Sequence, residues 1–105
     1  LWSGNKGIAK NNKGVIFDPA SWWADCEVDI AMSLLFGGFK QDFYNEYYKV
    51  LPKKEGFEQR ITIYNLYHIL NHANMFGGSY VLQANQYIKN LPDRLNFSGD
   101  RTCVF

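Results

Sequence analysis

At 105 residues the chain is one domain's worth of sequence, and 47% apolar and 17% aromatic content give it enough to bury and too much for a disordered polymer. Its 11 basic and 10 acidic residues nearly cancel, and Lys53-Lys54 is the only adjacent basic pair, so neither nucleic acid nor an anionic membrane is an expected partner. No apolar run approaches the ~20 residues that span a bilayer, no signal-peptide pattern is present, and the widely spaced Cys26 and Cys103 indicate neither a disulfide framework nor a zinc site, so a reduced cytoplasmic setting is expected.

In chain order, Gly7-Ile8-Ala9 and Val15-Ile16-Phe17 flank Asn11-Asn12-Lys13-Gly14, a stretch rich in residues that tolerate positive φ; this predicts a hairpin over 7–18. Val28, Ala31, Met32, Leu35 and Phe36 then recur at helical spacing, and Gly37-Gly38 supplies the stop, predicting a helix over about 26–36. Phe43, Tyr44, Tyr47, Tyr48 and Leu51 repeat the period up to Pro52, and the tyrosines read as core and rim packing.

Beyond Gly56 the segment 57–76 carries apolar residues on most sides, from Phe57 and Ile61 to Leu70 and Phe76, the pattern of a helix placed in the middle of a bundle. Gly77-Gly78 ends it. Tyr80, Ala84, Tyr87, Ile88 and Leu91 mark a last helix before Pro92, and 92–105 read as an irregular tail. The paired "LFGGF" and "MFGGS" are taken as two helix caps and not as an internal repeat.

Chemistry concentrates at the head. Kinase-like phosphoryl transfer uses an Asp that orients the attacking hydroxyl, an Asn later in the same loop and a second Asp after a short hairpin, the last two holding magnesium against the ATP phosphates. Asn5 closes "LWSGN", a strand-turn-strand follows, and Asp18 ends "VIFD", so order and context both fit. Asn before a turn and Asp after a strand are also common for structural reasons, so this pattern alone leaves both roles open.

The stretches "LWSGN", "IFDPASWWADCEVDIAMSLLFGGF" and "GFEQRITIYNLYHILNHANMFGGSY" closely resemble the fructosamine kinase (ketosamine kinase) family, of the aminoglycoside-phosphotransferase branch of the kinase-like superfamily, over residues 1–91. The resemblance implies a mainly α fold, the helical C-terminal lobe of a protein-kinase-like domain with a short N-terminal β-hairpin. It matches Asn5 and Asp18 to the family's magnesium ligands and implies ATP and Mg²⁺ as cofactors. Asp18-Pro19-Ala20 stands where protein kinases have Asp-Phe-Gly. The family's catalytic Asp falls immediately before Leu1, so the catalytic set is empty here, and the nucleotide lobe is expected upstream.

The implied substrate is a small-molecule ketosamine or a glycated protein amine, phosphorylated at a sugar hydroxyl. Without the aligning Asp the chain alone is expected to be inactive. The competing expectation, of a different class, is a non-catalytic helical module that self-associates as a homo-oligomer through an exposed lobe interface.

The remaining candidates carry a bland reading beside the functional one. Trp2, Trp22 and Trp23 could offer aromatic walls to a sugar or ribose, with core packing the alternative for at least one of Trp22 and Trp23. Asp25 and Asp29 read as cap and first-turn carboxylates, and the wider family has an Asp matching Asp29 that braces the catalytic loop. His68 and His72 have zinc-protease spacing, but residue 69 is Ile and no third ligand is evident, which favours a packed or hydrogen-bonded pair. The basic residues read as a solvated surface.

Overall fold

The computed structural model describes residues 1–19, 21–91 and, as backbone alone, 102–104. The chain is mainly helical and divides into two compact units, one built from Leu1–Pro52 with the strand at 102–104, the other beginning at Lys53.

The first unit opens with a 3-10 turn, Ser3–Asn5, that runs into β1 (Lys6–Ile8). β1 pairs antiparallel with β2 (Gly14–Ile16) in the register Lys6↔Ile16, Gly7↔Val15, Ile8↔Gly14. The turn between them closes through bonds from the Asn12 and Ala9 amides to the Ala9 and Lys13 carbonyls, both 2.9 Å, with Asn12 at φ 58. Asn reaches that left-handed region more readily than most residues, and the predicted hairpin is present.

β3 (Trp23–Asp25) leads directly into α1 (Cys26–Leu35). The Asp25 carboxylate caps that helix, accepting from the Glu27 amide at 2.8 Å, as the sequence suggested. The most buried line on α1 runs Cys26, Ile30, Ser33 with Ala31, one step round from the predicted Val28–Leu35 stripe. A serine fits there because its hydroxyl is satisfied: it donates to the Ile30 carbonyl at 2.7 Å and lies 3.1 Å from the hydroxyl of buried Tyr44 on α2 (Gln41–Val50). The α2 aromatics form a ladder, with Phe43 stacked on Phe39 at 4.3 Å and Tyr44 on Tyr48 at 6.5 Å.

One strand lies in the stretch expected to be irregular. β4 (Thr102–Val104) pairs antiparallel with β3, placing position 103 opposite Ala24 and next to the start of α1. The rest of 92–105 lies outside the described residues. Cys26 is buried and disulfide-bonded, which corrects the expectation of reduced cysteines: the strand pairing brings together parts of the chain whose separation in sequence had argued against a bridge.

The second unit is a helical hairpin of α3 (Phe57–Phe76) and α4 (Ser79–Lys89). Gly56, in the left-handed region, starts α3, and Gly77 ends it with its amide on the Ala73 carbonyl at 2.8 Å. Ile69 and Ala84 are buried, while Tyr67, Leu70, Met75 and Phe76 are exposed. Among the described residues of its unit, α3 packs against α4. Arg60 corrects the reading of the basic residues as uniformly solvated. At 2% exposure it is the largest fully buried side chain among the described residues, and its guanidinium donates to the Glu55 carbonyl at 2.6 Å, fastening the loop that precedes α3. Among the described residues no helix is long and apolar enough to cross a membrane.

Candidate active site

The hairpin brings the two predicted ligands together. Asn5 ends the 3-10 turn and its backbone carbonyl accepts from the Phe17 amide at 3.0 Å, closing the strand pair at its base. Its side-chain amide nitrogen donates to the Phe17 and Asp18 carbonyls, both at 3.1 Å. With both amide hydrogens spent on the backbone, the side-chain oxygen is the end left for a ligand.

Asp18 is exposed and sits at φ 56, in the left-handed region. Asp tolerates this better than most residues, yet such a conformation persists only where the surroundings impose it, and it recurs at functional sites. Here the bonds from Asn5 to residues 17 and 18 impose it.

Both residues line a cavity of about 440 Å³ with Leu1, Trp2, Ile16, Phe17, Pro19, Asp29 and Met32. The walls are mainly apolar and the polar groups are an amide and two carboxylates. A neutral amide oxygen and a carboxylate are hard donors that suit Mg²⁺, an ion that takes a few protein oxygens and completes its shell with phosphate and water. The donor types present are thus ones that Mg²⁺ takes, while among the described residues no group of three or more His, Cys, Asp or Glu side chains gathers as a metal site.

Trp2 is 45% exposed and contributes a wall. Its indole lies over Gly4, so closely that a Cβ there would fall 2.3 Å from the Trp2 ring. Trp22 and Trp23 are exposed, the latter by 77%, and neither is among the lining residues. The core-packing alternative for this pair is not met: Trp23 begins an edge of a two-stranded sheet, where its side chain has little to pack against.

Asp29 reaches the site from α1. Its Oδ1 lies 2.5 Å from the terminal ammonium of Leu1. Tyr47 on α2 responds to the same charges: burial, and after it the negative fields of Asp29 and Asp25, raise its hydroxyl above the ordinary tyrosine value of 10.0.

Of the wall residues, Met32 stands one helical turn after Asp29 and could have been found from that spacing. Ile16, Phe17 and Pro19 had no signal beyond their position beside Asp18. The histidines are a packed pair, as expected. His72 Nδ1 lies 2.7 Å from the His68 carbonyl, and its ring meets Tyr80 with centroids 5.2 Å apart.

The family model described as fructosamine kinase matches residues 1–94. Among curated proteins, the chain is 53% identical over 89 residues to a probable ketoamine kinase of Synechocystis, covering 85% of this chain and 30% of that protein. It is 51% identical over 80 residues to a chloroplastic protein-ribulosamine 3-kinase of Arabidopsis thaliana (76% of this chain, 24% of that protein). To a ketosamine-3-kinase of Mus musculus it is 42% identical over 92 residues (87% and 29%). The chain thus spans less than a third of the length of these relatives.

Proposed function

The chain belongs to the fructosamine kinase family, and from that premise we propose that it is part of an ATP-dependent ketosamine kinase, the helical C-terminal lobe of a protein-kinase-like domain. The observation that carries the reading is the joining of Asn5 to the Asp18 turn at one cavity. In it, Asn5 and Asp18 would hold Mg²⁺ against the phosphates of ATP, and the ion would supply positive charge to offset that of the phosphoryl oxygens. Asn5 supplies a neutral oxygen and fixes the Asp18 backbone. Asp18 supplies the charge. Trp2 offers the substrate sugar an aromatic face, with Trp22 and Trp23 as more distant candidates for the same role. The substrate is a ketosamine, free or on a glycated protein, phosphorylated at a sugar hydroxyl.

Catalysis of this kind is positioning plus electrostatic stabilisation, so the metal ligands alone do not suffice without a carboxylate to align the hydroxyl and a lobe to hold the nucleotide. The purified 105-residue protein, given ATP, Mg²⁺ and a fructosyl-amine, is expected to form no phosphorylated product above a no-enzyme control. Turnover by this chain would show that the required groups are all within it.

A second reading, a self-associating helical module, is favoured by the exposed Ile8, Ile16, Phe17, Trp22 and Trp23 in the first unit. Sedimentation of the same sample separates it from the first, since a monodisperse monomer at high concentration excludes it.

A further inference from the structure

We propose that Lys6 and Phe39 form a clamp that positions Asn5, an inference that rests on the reading of Asn5 as a metal ligand. Lys6, the residue after Asn5, places its ammonium 4.7 Å from the centre of the Phe39 ring, in the loop just past α1.

Phe39 is itself held rigidly. It stacks on Phe43 at 4.3 Å, and its backbone amide donates to the Tyr44 hydroxyl at 3.1 Å, which in turn meets Ser33. Gly38, at φ 52, makes this approach possible, because a Cβ there would stand 2.6 Å from Tyr44 Oη. The "GGF" turn therefore does more than end a helix. It presents an immobilised aromatic face to the residue beside the candidate ligand. A lysine lying on an aromatic surface is often only snorkelling, so the two roles must be told apart by sign.

Manganese as a paramagnetic stand-in for magnesium, titrated into the ¹⁵N-labelled chain, reads the effect. Phe39→Leu removes the ring face without changing charge, and Lys6→Met removes the cation. Each is expected to weaken Mn²⁺ binding by about 2- to 5-fold, the range that a cation–π contact spans at an exposed site such as Lys6. Lys6→Arg, which keeps the contact, is expected to stay within about 2-fold of wild type on the same grounds. Were Lys6 merely a nearby positive charge, Lys6→Met would tighten binding of a divalent cation instead. Tighter or unchanged binding in Lys6→Met, or unchanged binding in Phe39→Leu, overturns the clamp.

Asn5→Ala separates this from the metal reading, since Mn²⁺ uptake indifferent to Asn5 sinks that reading by itself. If wild type takes up no Mn²⁺, the clamp is read from hydrogen exchange of the Asn5 side-chain amide, which bonds to residues 17 and 18. Faster exchange in Phe39→Leu supports it and equal exchange overturns it.

Discussion

Asp18→Asn is expected to weaken Mn²⁺ or Mg²⁺–nucleotide binding by at least about 100-fold, beyond the 10- to 100-fold that loss of a mere supporting partner of a metal ligand typically costs. The asparagine keeps the shape of the side chain and tolerates the left-handed backbone that Asp18 adopts at φ 56. It removes only the charge. Asp18→Ala would remove the ligand as well but would add backbone strain of about 1 kcal/mol, because alanine gains nothing at positive φ. The comparison of the two therefore divides ligation from folding. If the ligand reading holds, both variants lose the metal and only Asp18→Ala melts earlier. Metal affinity by titration calorimetry and melting by circular dichroism give the two numbers. An Asn variant that binds within about 3-fold of wild type would remove Asp18 from the site, since a lost first-sphere carboxylate cannot be so cheap for a hard cation.

The elements were legible in the sequence because glycine and proline punctuate it so clearly. Gly56, Gly77-Gly78 and Pro92 bracket two helices, and the observed bounds Phe57–Phe76 and Ser79–Lys89 fall inside them. The hairpin was legible from Asn11-Asn12-Lys13-Gly14 between two apolar runs. What failed to show was anything decided by a partner distant in sequence. Arg60 reads as a surface cation until its loop carbonyls are seen, and the buried line of α1 shifts by a step because Tyr44 satisfies Ser33. β4 has three residues, too few to leave a period. The site divides in the same way. Asn5 and Asp18 stood out through order, context and family resemblance, whereas the walls of the cavity follow from how the hairpin packs beside α1, and no local pattern records that.

Gly38→Ala is expected to destabilise the first unit by about 2–4 kcal/mol, and Gly37→Ala by only about 1 kcal/mol, although the two are neighbours in one turn. Both have positive φ, 86 at Gly37 and 52 at Gly38, so both variants incur the strain of a left-handed alanine. The difference lies in what a methyl group would meet. At Gly37 nothing lies within 4 Å. At Gly38 the methyl would stand 2.6 Å from Tyr44 Oη and 3.2 Å from the Ser33 carbonyl oxygen, and neither can retreat easily. Tyr44 is 6% exposed and its hydroxyl is tied to Ser33 and to the Phe39 amide, so displacing it breaks buried hydrogen bonds at about 1 kcal/mol or more each. Chemical denaturation of the two variants, followed by tryptophan fluorescence, supplies the comparison. If cap geometry alone explains the glycine pair, the two losses will be equal, and the tyrosine contact will have no energetic role. A loss confined largely to Gly38→Ala, together with a disturbed Phe39 amide resonance, ties the turn to the placement of Phe39, and through Lys6 to the loop that holds Asn5.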